Sequence, residues 1–307
     1  MSAFLMRCYP ALFRCAPVLL MLTACFLVRP PILPAEEMSP VVSADWLAKN
    51  LGNSQLVVLD IRAAGPYNKG HIPGSLNTPL RLWAVTRNGL LLELPSDEEL
   101  RDLLGESGIR SSSLVVVVPG TETDFSRADG TRVAWTLKVA GVEHVAVLDG
   151  GYGQWIKDGK AVSTDASAAV PSQYRGIMDR SSSISKTGVL GKIGKSIIVD
   201  ARTPEDYFGM TSKQGHIKSA VDLPTPWAFT ASGTYRDKQT LRAMAEGVVG
   251  ADRSKEVILY CGVGGYASTW WFLLTQMLGY RNVKLYDGSM QEWVMDPGDP
   301  TSVYSWH

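Results

Sequence analysis

Residues 256–279 read EVILYCGVGGYASTWWFLLTQMLG. The opening run, Glu256–Tyr260, is short and apolar, as expected of a parallel strand covered on both faces. Ser268–Leu278 carries a helical pattern, and Gly279 follows it as a C-terminal cap. Between them lies the loop Cys261-Gly262-Val263-Gly264-Gly265-Tyr266, with a helix predicted to begin near Ala267. This is a strand–loop–helix unit of an α/β fold. Ligands of such folds bind beyond the carboxyl ends of the strands, and Cys261 is the first residue there. Three glycines let the loop curl so that successive N–H groups point inward and form an anion nest. The candidate donors are the backbone N–H groups of Gly262, Val263, Gly264, Gly265, Tyr266 and Ala267. The following helix aims its N-terminal dipole at the same point. Both effects favour a thiolate, the attacking form, so the expectation is a lowered cysteine pKa. The competing reading is a tight turn around a small packed hydrophobe.

Working outward, the chain repeats once. Asp60-Ile61-Arg62, Tyr67 and Gly70-His71-Ile72 recur as Asp200-Ala201-Arg202, Tyr207 and Gly215-His216-Ile217. Leu148-Asp149-Gly150-Gly151 with Trp155 recurs as Tyr286-Asp287-Gly288-Ser289 with Trp293. The offsets are 200 − 60 = 140 and 287 − 149 = 138, far longer than the ~20–50 residues of a solenoid repeat. Leu82-Trp83-Ala84 and Pro226-Trp227-Ala228 also align in this reading. Apolar runs at Leu56–Asp60, Leu114–Val118 and Val145–Leu148 predict the strands of the first copy. Ser196–Asp200, Glu256–Tyr260 and Val283–Tyr286 predict those of the second. Arg132–Ala140 is the first copy's counterpart of the helix after Cys261, with Gly141 as its cap. The fold class is α/β, two tandem domains over 39–160 and 184–307, each a mostly parallel sheet flanked by helices. The Ser-, Ala- and Pro-rich segment 161–183 is the expected linker.

Residues 1–35 read as a leader and tether. Behind Arg7 and Arg14 runs CAPVLLMLTACFLV, 14 residues without a charge, too short for a spanning helix of ~20. Leu22-Thr23-Ala24-Cys25 resembles a bacterial lipobox, which makes Cys25 the candidate lipidation site and membrane anchor. A plain cleaved signal and an uncleaved anchor are the alternatives. Each predicts export, to the periplasmic or cell-surface side. Cys8, Cys15 and Cys25 all belong to this leader, so Cys261 alone remains in the folded part and has no internal disulfide partner. The charges balance, 30 basic against 30 acidic, so no field favours nucleic acid. Histidines at 71, 144, 216 and 307 are too scattered for a zinc cluster, and no metal site is expected.

Taken together, the chain resembles a tandem rhodanese, a sulfurtransferase of two rhodanese domains. The resemblance covers nearly all of 39–307 and rests on Asp200-Ala201-Arg202, Gly215-His216-Ile217, the loop Cys261–Tyr266, and Tyr286-Asp287-Gly288-Ser289 with Trp293. It implies that Cys261 is the catalytic nucleophile. The thiolate takes the outer sulfur of a small donor (thiosulfate, mercaptopyruvate or a polysulfide), becomes a persulfide, and passes that sulfur to a thiol or cyanide. It implies no metal or organic cofactor. It also implies an inactive first domain, and here Pro119 stands where the second domain has Cys261. The alternative function is a persulfide carrier at the membrane surface that does not turn over small donors. A related phosphatase family has a loop one residue longer that ends in arginine. This loop has Tyr266 in its sixth position and would leave a phosphate poorly neutralised.

The chain departs from the family's pattern around the donor. The loop carries no cation, Asp206 precedes Tyr207, and Lys213 is the remaining candidate for donor binding. Asp60, Arg62, Asp200 and Arg202 occur in both copies, which favours structural ion pairs over catalysis. By the same logic His71 and His216 are expected to tie loops together, and Asp149 and Asp287 to brace the turns after their strands. Trp270, Trp271, Leu274, Met277 and Leu278 have helical spacing and read as core.

Overall fold

A computed structural model describes residues 38–211 and 213–304. The expected leader with Cys8, Cys15 and Cys25, and His307, lie outside the described residues. The first half runs β1 (Val41–Val42), α1 (Ala44–Asn50), β2 (Leu56–Asp60), α2 (Ala64–Lys69), β3 (Leu76–Asn77), β4 (Val85–Arg87), β5 (Leu90–Glu93), α3 (Asp97–Glu106), β6 (Leu114–Val118), α4 (Asp124–Val139), β7 (His144–Leu148) and α5 (Gly151–Lys157). The second runs α6 (Lys186–Leu190), β8 (Ile197–Asp200), α7 (Pro204–Tyr207), β9 (His216–Ile217), β10 (Val221–Asp222), α8 (Lys238–Val249), β11 (Val257–Tyr260), α9 (Gly265–Phe272), β12 (Val283–Leu285), α10 (Ser289–Trp293) and β13 (Thr301–Ser302).

The first sheet has the order β1-β7-β6-β2-β3 and the second β10-β8-β11-β12, with every pairing within them parallel. The β-branched runs suit this arrangement because both faces are covered. Alternation along a strand sends successive side chains to opposite faces. Val116 and Val118 join one core with Trp155, while Val115 and Val117 join another with α4. In β11, Ile258 and Tyr260 face one side. Val257, Leu259 and then Cys261 face the other, under α9. That second core is continuous across the two domains, because it also contains Val133 of α4 and Trp270 of α9. Helices α4 and α9 meet directly, with Thr131 Oγ1 2.9 Å from Thr269 Oγ1 and 3.2 Å from Ser268 Oγ.

Residues 161–183 form irregular chain that packs along the first domain. Tyr174 is buried there and donates its hydroxyl to Ala140 O at 2.7 Å. Three features correct the sequence reading. Both long helices begin earlier than predicted, α9 at Gly265 and α4 at Asp124, where the side chain of Thr123 caps it. The antiparallel pair β4–β5 had no period-2 signal strong enough to reveal it. The tryptophan alignment also slips by one. Leu80 N–H donates to Ile61 O and Thr225 N–H to Ala201 O, so Trp227 matches Leu82 and Trp83 matches Ala228. Hence Trp83 is fully buried while Trp227 is half exposed.

Candidate functional site

Cys261 leaves β11 on the face covered by α9, and only 1% of it is exposed. Its backbone is pinned by the start of α10. Cys261 N–H donates to Ser289 Oγ at 3.2 Å, Met290 N–H to Cys261 O at 3.0 Å, and Gln291 N–H to Gly262 O at 3.0 Å. The loop turns at Gly264, whose φ of 84° is left-handed and favours glycine. That turn aims the Gly264 N–H at Cys261 Sγ, 3.1 Å away. The N–H groups of Val263 and Ala267 also favour the thiolate. Of the six candidate donors, these three act on the sulfur.

The expected lowering of the thiol pKa is corrected by the structure. Burial pushes the Cys261 thiol up, and the three N–H groups pull against it without winning. The nearby Asp200 carboxylate adds to the upward push. An anion nest is present, but it lies in a site too dry to hold a bare thiolate unaided.

Asp200 accepts from Arg202 through both carboxylate oxygens, the shortest contact being 2.6 Å, and from the Tyr260 hydroxyl at 2.8 Å. Arg202 also donates to Gly215 O at 2.5 Å. Asp60 and Arg62 repeat the pair at 2.6 Å in the first domain, with Arg62 donating to Gly70 O. His216 stacks on Tyr207 at 3.9 Å, and His71 stacks on Tyr67 at 3.9 Å. The Nδ1 of each sits beside that tyrosine's carbonyl. These groups tie loops and lie off the sulfur. Lys213 is exposed, with its backbone N–H donating to Gly209 O, and none of its described contacts reaches the Cys261 loop. Among the described residues, no group of His, Cys, Asp and Glu could hold a metal.

Asp149 and Asp287 depart from their expected role. Each reaches into the other domain rather than bracing only its own turn. Asp149 accepts from Tyr235 N–H at 2.8 Å, and Asp287 from Leu94 N–H at 2.7 Å. Asp287 also pairs with Arg132 of α4, which is wholly buried; Nη1 bonds one carboxylate oxygen and Nη2 the other at 3.2 Å. Gln291 clips the first domain's hairpin by accepting from Leu91 N–H and donating to Leu91 O, both at 2.9 Å. The Phe125 ring lies against Gly265 and Tyr266, its centroid 5.3 Å from that of Tyr266. The first domain therefore forms a wall of the Cys261 site. Sequence reading missed Arg132 and gave no role to Ser289 and Gln291, although both lie in the family-like stretch 286–293. The one available signal was Arg132 itself, a charge in the apolar run Val133-Ala134-Trp135 that a buried helix face carries only when paired.

In the first domain Pro119 follows β6, and a cavity of about 520 Å³ opens beyond it, lined by Arg62, Arg81, Glu122, Ser126 and Asp129 among others. It holds no thiol. Burial, with Glu122 nearby, raises the Asp129 carboxyl to about 7.

The profile of the family described as Rhodanese-like domain matches residues 43–158 and 188–296. A "Putative thiosulfate sulfurtransferase" of Mycobacterium leprae is 30% identical over 279 residues, spanning 86% of this chain and 98% of the relative. A sulfur carrier protein of Thermus thermophilus is 29% identical over 273 residues, 82% of this chain and 93% of the relative. Among solved structures, a 3-mercaptopyruvate sulfotransferase of Escherichia coli superposes with a TM-score of 0.68 at 25% identity, covering 82% of this chain and 99% of that one.

Proposed function

The chain belongs to the rhodanese-like family and is a sulfurtransferase of two such domains, and on that premise we propose that Cys261 carries the sulfur. The observation that supports this most is the aim of the Gly264 N–H at Sγ, joined by Val263 and Ala267, at the carboxyl end of a central strand. The thiol first gives its proton to solvent water as the donor enters, since the loop has no base of its own. The thiolate then attacks the outer sulfur of the donor, the donor's S–S or C–S bond breaks, and the remainder leaves with the electron pair. The persulfide is charged on its outer sulfur and is a better anion than the thiolate in a dry site, and the loop N–H groups hold it. An acceptor thiol or cyanide attacks that outer sulfur and returns Cys261 as thiolate. No residue of the first domain has a nucleophile at the equivalent place.

The donor is one of low charge, mercaptopyruvate or a small organic persulfide, each a monoanion, in preference to the dianion thiosulfate. The loop has no cation. The charged side chains that act on Tyr266 at its edge are Asp124, Asp206 and Arg127, and Arg127 is already paired with Asp124. Steady-state assays with polysulfide, mercaptopyruvate and thiosulfate, each with cyanide as acceptor, test this reading. The expected order of kcat/KM puts the monoanion mercaptopyruvate ahead of the dianions polysulfide and thiosulfate, and a preference for thiosulfate contradicts it. Slow turnover with every donor, alongside efficient loading of Cys261, supports the carrier reading instead. That reading is supported by the likeness to the sulfur carrier protein of Thermus thermophilus, 29% identical over 273 residues.

We also propose attachment to a membrane through a diacylated Cys25, since two chains suffice for stable anchoring. Labelled palmitate is expected in the wild type and not in Cys25→Ala. A mature N-terminus beyond residue 25 overturns the proposal.

A further inference from the structure

The two interdomain clamps are related by the internal repeat, yet only one contains an arginine. Asp149 takes a backbone N–H of the second domain, and Asp287 takes one of the first. The Asp287 clamp alone adds Arg132, held wholly out of water. Burying an arginine–carboxylate pair is costly, and a second backbone clamp would have held the domains without it. The pair sits behind the loop that contains Cys261, not behind the loop that contains Pro119. A Cβ placed on Gly264 would lie 2.9 Å from Asp287 Oδ1, 3.1 Å from Asp287 O and 3.1 Å from Arg132 Nη1. The same Gly264 points its N–H at Cys261 Sγ, 3.1 Å away.

We propose that Arg132, on the first domain, is a positioning residue for sulfur transfer at Cys261: it neutralises the Asp287 carboxylate that packs against Gly264, so that no bare negative charge sits behind the N–H aimed at the sulfur. The proposal rests on Cys261 being the sulfur carrier. Without Arg132, Asp287 is an uncompensated carboxylate packed on the back of the anion nest, where it opposes any negative charge on sulfur. The other charged groups around the pair are Glu93 of β5, Glu292 of α10 and Arg87 of β4. On the sulfur side they are Asp200 of β8, with Asp206 of α7 and Asp124 and Arg127 of α4 at Tyr266. The groups on the sulfur side stay unchanged in the variants below, whereas Glu93 is raised by Asp287 and lowered by Arg132, so every profile is repeated in a Glu93→Gln background to remove its titration.

The test uses the full chain. The rate of Cys261 alkylation by iodoacetamide, followed by the mass of the peptide that contains Cys261, is measured against pH for wild type, Arg132→Met, Arg132→Lys and Arg132→Met combined with Asp287→Asn. Thermal melting is recorded alongside. Arg132→Met is expected to move the midpoint up by about one unit, which slows alkylation roughly tenfold at pH 7. Arg132→Lys is expected to restore much of the shift, and the double variant to return the midpoint to within ~0.3 unit of wild type, because the uncompensated charge is gone. A lower melting temperature with an unmoved profile, or a double variant as shifted as the single, overturns the proposal. Loading with polysulfide is scored separately. If Cys261→Ser still gains sulfur on the folded domains, the sulfur-carrier reading fails, while the alkylation profiles still report on Arg132.

Discussion

Replacing Gly264 by alanine exchanges one hydrogen for a methyl group at the centre of the site, with consequences that follow from the geometry. A non-glycine residue at φ 84° costs ~1–3 kcal/mol in backbone strain. The added methyl also meets Asp287 and Arg132 at 2.9–3.1 Å. Asp287 cannot retreat, because Arg132 and the Leu94 N–H hold it from the other domain. The loop gives way instead, and the Gly264 N–H swings off Sγ. A hydrogen bond to a charged group contributes ~1.5–3 kcal/mol, which at about 1.36 kcal/mol per tenfold predicts persulfide formation roughly 10- to 150-fold slower. The strain lowers the melting temperature by about 2–4 °C per kcal/mol. Gly262→Ala is the internal control. A Cβ there meets nothing within 4 Å and its φ is not positive, so a rate within about threefold of wild type is expected. The assay is single-turnover loading with polysulfide, quenched and read by intact mass. Equal rates for the two alanine variants would refute the argument.

Stability should peak on the acid side of neutrality. Burial raises the carboxyls of Glu93, Asp129 and Asp222 to about 7, with Asp287, Glu122 and Asp200 respectively adding to it. Their folded forms bind more protons than the unfolded chain between the ordinary carboxyl range and about 7, so stability is lost as pH rises through that window. At Glu256 burial is overcome by Lys192, Ser196 and Lys284, which hold it at about 2, so its contribution is lost only as pH falls below about 4.5. Melting curves from pH 3 to 9 are expected to show a maximum near pH 4–5 and a fall from there to pH 7, and a melting temperature that climbs from pH 5 to 7 contradicts this. Asp149→Ala strips the Tyr235 N–H of its acceptor and is expected to cost ~1–3 kcal/mol in stability, with persulfide formation at 25 °C within about threefold of wild type. A large loss of rate with no change in melting would show that this clamp serves the chemistry too.

The central strands were legible because buried parallel strands announce themselves as apolar runs, and Leu56–Asp60 and Leu114–Val118 match the structure to the residue. The burial of Cys261 was legible as well. It continues the alternation Val257, Leu259, Cys261 onto the covered face of β11. What escaped the sequence is non-local. Arg132 and Asp287 are far apart in the chain and meet only because α4 and α9 pack together. The direction of the thiol's shift escaped for the same reason. Glycine-rich loop chemistry is local, whereas the desolvation that outweighs it comes from a core assembled from many separate segments of both domains. The one-residue slip between Trp83 and Trp227 arose because identical residues were aligned, while the backbone hydrogen bonds align Leu80 with Thr225.

The most direct measurement of the account is the intact mass of the full chain after incubation with a sulfane-sulfur donor and removal of excess donor. Wild type is predicted to gain the mass of one sulfur atom, located by fragmentation at Cys261 and lost on adding cyanide, while Cys261→Ser gains none. Sulfur retained on the folded domains of Cys261→Ser, or a wild type that stays unloaded with every donor, would contradict it.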